Sequence, residues 1–173
     1  MPEQIAQLAG WVADYITVQR ALYTPSATPL SQAQRAAMGG FFSADVLNVL
    51  LLTLRGERIQ NPPFYPQLQE IGFGNLPDQS TMDAITFSDV VVSHVPVTNG
   101  LLFHELVHVE QYRQLGIARF SELYVIGFLN GGGYERIPLE VYAYRLGAQY
   151  QASPQQRFSV ECAVRERIQQ RAY

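Results

Sequence analysis

The sequence contains no lysine, a single cysteine and only three histidines among its 173 residues. All 12 basic residues are arginines scattered along the chain, and the net charge is −3. Because no basic stripe is present to follow a phosphate backbone, nucleic-acid binding is disfavoured. The single Cys162 excludes an intramolecular disulfide and a zinc site built from cysteines. We predict that Cys162 is a small buried hydrophobic residue on the last helix.

Long apolar runs are also missing from the sequence. No uninterrupted run approaches the roughly 18 residues that a membrane-spanning helix needs. The first 16 residues start acidic and lack the apolar segment of a secretory signal. We therefore expect a cytoplasmic protein without a membrane span, with leaderless export as the alternative. Hydrophobic residues make up 47% of the chain and no linker divides it, so residues 1–173 are expected to form a single domain.

The most informative segment is 101–116, LLFHELVHVEQYRQLG, which contains the pattern H-E-x-x-H at His104, Glu105 and His108. On an α-helix, side chains four residues apart lie on one face about 5–6 Å apart. Two imidazoles at that separation can bind one Zn²⁺. Glu105 projects from the edge of the same face, where its carboxylate can reach a water molecule without becoming a ligand. The alternative is a core helix whose two histidines are merely hydrogen-bonded.

Apolar periodicity, capping residues and helix breakers predict a mainly helical α+β domain with a small sheet ahead of the motif helix. The predicted helices cover residues 4–22, 31–38, 64–71, 98–116, 120–130, 138–151 and 153–171. Pro138 suits the first position of its helix, and Ser153 with Gln156 predicts a capping box for the last one. After a brief helix near Ser43, residues 49–54 are predicted as a strand. A hairpin within 82–96 would offer a sheet edge to an extended peptide.

A catalytic zinc site needs a third protein ligand and an open position for water. We favour Glu140, which lies in the first turn of the helix that starts at Pro138, after a Gly-rich segment able to fold that helix back. One alternative is that Glu140 only complements the helix dipole, and another is that His94 or Glu135 is the third ligand. For His94 itself we expect a hydrogen-bonded histidine near the site. Glu110 is expected to point away from the ligand face.

Two segments, HELVHVEQY at 104–112 and YERIPLEVYAY at 134–144, together resemble a bacterial group of zincin metallopeptidases. In that group H-E-L-x-H-x-x-Q is followed by P-x-E-x-x-A-Y, and the resemblance covers residues 82–151. It implies a zincin-like fold and a gluzincin-type zinc site, with His104, His108 and Glu140 as ligands and Glu105 as base. Many members have Glu where this chain has Tyr142, while the other positions of the second motif are kept.

The residues and the resemblance together predict a zinc-dependent hydrolase, most simply a peptidase that acts on a peptide or protein substrate. Glu105 is the expected general base. Tyr134 or Tyr144 is expected to stabilise the oxyanion, with Arg145 as a weaker candidate. Candidates to hydrogen-bond the ligating histidines are Glu110, Gln111 and Glu135. The competing hypothesis is a catalytically silent zincin-like domain that binds a peptide along its sheet edge, and a third is a hydrolase of non-peptide amides or esters.

Overall fold

The structure, a computed structural model, describes residues 2–173 and has a mainly helical α+β fold. The helices are α1 (Pro2–Tyr23), α2 (Gln32–Met38), α3 (Tyr65–Glu70), α4 (Asn99–Gly131), α5 (Pro138–Ala152) and α6 (Val160–Gln169). The strands are β1 (Thr28–Pro29), β2 (Leu50–Thr53), β3 (Ala84–Phe87) and β4 (Val90–Ser93). Over this described range, no helix combines the length and apolarity needed to cross a membrane.

The four strands form one mixed sheet in the order β1-β2-β4-β3, in which β2 and β4 are parallel and the other pairs are antiparallel. The predicted hairpin is confirmed, because β3 and β4 are joined at Ser88 and Asp89, where Ser88 has a φ of 62°. The strand predicted at 49–54 is confirmed as β2. Sequence reasoning missed β1, whose Pro29 is tolerated at the edge of the sheet. The opposite edge strand, β3, lies against α4.

Helix α4 runs through the middle of the domain, between two hydrophobic clusters. Phe103 belongs to one cluster, which lies towards α2, α5 and α6, and Phe120 belongs to the other, which lies towards α1 and the sheet. At Gly116 the backbone has a φ of 72° and a ψ of 161°, which breaks the helix into two parts. The predicted break is therefore confirmed, although the chain returns to helix at once rather than at Phe120. Because α4 lies between the two clusters, its motif segment is buried on nearly all sides.

The prediction for the last helix is wrong at its start. Ser153 is the C-cap of α5, where its N–H donates to the carbonyls of Gln149 and Tyr150, and no helix begins at this residue. The chain instead continues without helix until Ser159, whose hydroxyl accepts from the N–H of Cys162 and caps α6. Phe158, which packs with its ring centroid 5.3 Å from that of Phe41, anchors the intervening segment.

The prediction for Cys162 is also wrong, because this residue is exposed. The buried residues of α6 are Val160 and Val164. Because residues four apart share one helix face, Cys162 is turned away from the core that these two valines enter. The sequence pattern located the helix but did not show which of its faces is buried.

Candidate metal centre

His104 and His108 lie one turn apart on the first part of α4, as the motif predicts. Their Nε2 atoms are 3.1 Å apart and their rings meet edge to face. His108 is buried, and His104 is partly exposed at the surface of a cleft. Both imidazoles therefore turn the same nitrogen towards one point in space.

The third member of the cluster, Glu140, comes from the first turn of α5. Gly132, which has a left-handed φ of 73°, caps the end of helix α4. After one 3-10 turn, α5 begins at Pro138 as predicted. The start of α5 lies close against the second part of α4 because Gly127 has no side chain. A Cβ at Gly127 would lie only 2.6 Å from Cδ of Pro138. This close approach places the Glu140 carboxylate, which is 5% exposed, beside the two histidines.

The three ligand atoms form a nearly equilateral triangle. The Glu140 Oε2 atom lies 3.1 Å from Nε2 of His108 and 3.5 Å from Nε2 of His104. Zinc ligands at about 2.0–2.1 Å in a tetrahedron would be separated by about 3.3–3.4 Å. The observed separations lie on either side of that value. A buried His/His/Glu group of this kind can hold a metal ion, and among residues 2–173 no fourth His, Cys, Asp or Glu side chain joins the group.

Gln111 determines which nitrogen of His108 carries a proton. The Gln111 amide nitrogen donates to the carbonyl of Leu139 at 3.1 Å, so its amide oxygen faces Nδ1 of His108 at 2.8 Å. Since that oxygen can only accept, Nδ1 must carry the hydrogen, and Nε2 presents its lone pair to Glu140. A lone pair and a carboxylate oxygen repel each other at 3.1 Å, and a proton or a metal ion held between them would remove that repulsion. Of the three residues predicted to support the histidines, Gln111 is the one in this position.

The charges of the cluster couple the protonation of His108 to metal binding. Burial by itself would lower the pKa of His108, but the carboxylates of Glu140 and Glu105 outweigh it and raise this pKa to about 9. Burial likewise opposes ionisation of Glu140, yet the adjacent imidazoles of His108 and His104 hold the pKa of its carboxyl well below the ordinary value. Because the folded-state pKa of His108 exceeds its ordinary 6.5, the ion pair stabilises the metal-free protein fully below pH 6.5. This contribution is lost as the pH rises through about 9.

Metal binding must displace the same proton from Nε2 of His108. We expect the apparent affinity for Zn²⁺ or Co²⁺ to rise about tenfold per pH unit between roughly pH 7 and 9 and then to level off. Competition with a chromophoric chelator at fixed pH values measures this affinity. An affinity that is flat above pH 7 would mean that no proton leaves the site when the metal enters.

Glu105 lies beside the triangle but is not part of it. Its side chain is 4% exposed, and one carboxylate oxygen, Oε2, accepts a hydrogen bond from Oγ1 of Thr86 at 2.7 Å. Thr86 is on the edge strand β3, so the sheet holds the orientation of this carboxylate. Sequence reasoning missed Thr86, and its signal is only a polar residue within an otherwise apolar strand.

Both tyrosines predicted for the site lie near it. Tyr134, on the 3-10 turn before α5, lines the space above His104 and Glu105. The ring centroid of Tyr144 is 4.4 Å from that of His104, although the side chain is 56% exposed. Burial and then the Glu140 carboxylate raise the pKa of each phenol above its ordinary value, so both remain hydrogen-bond donors. Arg145 is exposed and lines neither cavity at the site.

The alternative ligands lie elsewhere. His94 accepts from the N–H of Ile59 and donates to the carbonyl of Met82, as expected of a hydrogen-bonded histidine. Glu135 is exposed, and the buried Glu110 pairs with Arg113 at 2.9 Å on another side of α4. Neither carboxylate belongs to the cluster that could hold a metal.

Comparisons with protein-family models, with curated proteins and with solved structures returned no match for this chain. The resemblance to zincin metallopeptidases therefore stays a prediction that depends on the motif residues themselves.

Proposed function

We propose that this chain is a zinc-dependent hydrolase with a zincin-like fold, most simply a peptidase. The proposal depends on one observation above all. Two imidazoles and a carboxylate form a triangle of the size that zinc requires, and a fourth side chain, Glu105, stands beside it without joining it. A site that served folding alone would have no use for a buried carboxylate in this position, because burying a carboxylate costs free energy.

In this proposal each residue has a separate task. Zinc held by His104, His108 and Glu140 would lower the pKa of a water molecule from 15.7 towards about 7. Glu105 would accept a proton from the attacking water as the water oxygen bonds to the scissile carbonyl carbon, and it would deliver that proton to the amine nitrogen as the C–N bond breaks. Tyr134 and Tyr144 are neutral donors on the open side of the site, where one of them hydrogen-bonds the oxyanion of the scissile carbonyl.

The edge strand β3 supplies a way to align an extended peptide. In the register of β3 and β4, Ile85 pairs with Val92 and Phe87 with Val90 across the two-residue turn. Because hydrogen bonding alternates along an antiparallel pair, the backbone groups of Ala84 and Thr86 point away from β4. A peptide that pairs with these groups would run along the strand that carries the partner of Glu105.

The hydrogen bond from Thr86 gives a separate prediction. Thr86→Val keeps the shape of the side chain but removes the donor to Glu105, so we expect kcat to fall about tenfold, the scale of one hydrogen bond to a charged group. The KM and the zinc content should stay unchanged, and Thr86→Ser should restore most of kcat. Steady-state kinetics with zinc analysis measure all three. A wild-type kcat in Thr86→Val would show that Glu105 does not need this contact.

The function as a whole is tested by incubating the purified protein with an unbiased peptide mixture and identifying products by mass spectrometry. Cleavage should stop with a chelator and return with zinc. A set of small ester and anilide substrates, assayed in parallel, tests the non-peptide alternative. If zinc is bound and peptides bind, but neither peptides nor esters are cleaved, the silent peptide-binding domain is the correct description.

A further inference from the structure

Two cavities meet at the metal centre. An open cleft lies between β3, the start of α4 and α5, with Gly100 and Gly147 in its wall. A second and more enclosed cavity, here called the apolar pocket, extends from the site between α1, β3 and α4. The residues that line both cavities are Met82, Ala84, His104, Glu105 and Tyr134. A molecule bound in the cleft therefore has its reacting group at the mouth of the apolar pocket.

The walls of the apolar pocket are aliphatic and aromatic. Ile16 of α1, Phe87 of β3 and Phe120 of α4 are each at most 5% exposed and line it. The hydroxyl of Tyr15, which also lines the pocket, is already engaged, since it donates to the Gln60 carbonyl at 2.7 Å. A side chain that entered the pocket would thus meet apolar surface along most of its length, which favours apolar groups.

The charges of the site exclude other occupants. Among residues 2–173, the only charged side chains that line the apolar pocket, apart from the histidines, are Glu105 and Glu140. The sequence has no lysine, and within residues 2–173 no arginine lines either cavity. An acidic side chain that entered the pocket would meet two carboxylates and no arginine or lysine side chain. A lysine or arginine side chain would lose its hydration in an apolar space.

The size of the apolar pocket further limits which side chains it can bind. Its free volume is about 100 Å³, smaller than the roughly 150 Å³ of a cavity that holds benzene. A branched aliphatic side chain fits such a space, whereas a bicyclic indole ring requires the walls to move. Packed protein walls resist such movement.

We infer that the apolar pocket binds one uncharged aliphatic side chain of the substrate. The residue that carries this side chain lies within the peptide chain, next to the scissile bond. This inference rests on the proposed hydrolase function and adds the substrate class to it. In a series of internally quenched peptides that differ only at that position, kcat/KM should be highest for Leu, Ile or Met. It should fall about tenfold or more for Ala and for Trp, and about 100-fold or more for Asp compared with Leu.

Val12 of α1 lines the apolar pocket and lies outside the proposed catalytic machinery. Val12→Phe should fill the pocket and lower kcat/KM for the Leu peptide about tenfold or more, while changing the Ala peptide less than about threefold. Val12→Ala should enlarge the pocket and raise kcat/KM for the Phe peptide relative to kcat/KM for the Leu peptide. The matched control is Val18→Phe, the same substitution on the same helix at a side chain that is 61% exposed. It should leave the preference unchanged.

A second readout does not depend on turnover. Acetylated single-residue amides with these side chains should bind to the Glu105→Gln protein in the same order, as measured by NMR titration, and Val12→Phe should abolish the preference for Leu. Equal binding of Leu, Ala and Asp amides overturns the inference even if peptides are cleaved. Cleavage of nothing, together with Leu-selective binding, would overturn the hydrolase proposal and leave the pocket assignment in place.

Discussion

Glu105→Gln should retain zinc and lose hydrolysis. The amide keeps the size of the side chain and can still accept from Thr86, but it cannot take a proton from water. Loss of a general base costs about 100-fold to 10,000-fold in kcat. Because Glu105 contributes none of the three ligand atoms of the triangle, the metal content of the variant should equal that of the wild type. Steady-state kinetics and metal analysis on the same preparation measure both quantities.

The matched control for this variant is Glu122→Gln. Glu122 is on the second part of α4, where it pairs with Arg119 at the surface at 2.6 Å. Removing a surface ion pair changes stability by less than about 1 kcal/mol, so activity should be unaffected. If Glu105→Gln cleaves peptides at more than half the wild-type rate, Glu105 is not the base. If it loses zinc, the carboxylate is a ligand and its assignment is wrong.

Glu140→Ala should remove most of the metal affinity. This carboxylate is the only group of the triangle that comes from outside α4, and without it two imidazoles one turn apart remain. Substitutions of residues that merely support a ligand cost about 10-fold to 100-fold in affinity, so loss of a ligand should cost more than about 100-fold. Chelator competition measures the change, and hydrolysis at limiting zinc should fall in parallel.

Glu135→Ala is the natural control for Glu140→Ala. Glu135 lies five positions earlier in the chain and is exposed. It is one of the two alternative third ligands that the sequence suggests. Its removal should leave zinc affinity within about twofold of the wild type, since a solvated surface charge contributes little. Unchanged affinity in Glu140→Ala, or a comparable loss in Glu135→Ala, would remove Glu140 from the proposed site.

The ligand triangle was predictable because each of its parts depends on local rules. The separation of His104 and His108 follows from helix periodicity alone. The position of Glu140 follows from a Gly-rich break and from Pro138, which specifies where the next helix begins. Gln111 could be proposed as a partner for the same reason, since it lies three residues after His108 on the same helix.

The parts that sequence reasoning missed depend on contacts between distant segments. Thr86 reaches Glu105 only because β3 lies against α4, and the apolar pocket exists only because α1 packs over both. The start of α6 was wrong because Ser153 has capping chemistry that suits either helix end. Tertiary contacts of Phe158 decide between them. Local propensity carries no information about such choices.

The account depends on one divalent ion bound by His104, His108 and Glu140. X-ray absorption at the zinc edge, on protein purified without added metal and then reconstituted, measures the ligand set directly. We predict about one zinc per chain with two imidazole nitrogens at about 2.0–2.1 Å and carboxylate oxygen in the same shell. Substoichiometric zinc that dialysis removes, or a shell of oxygens without imidazole scattering, would contradict the account.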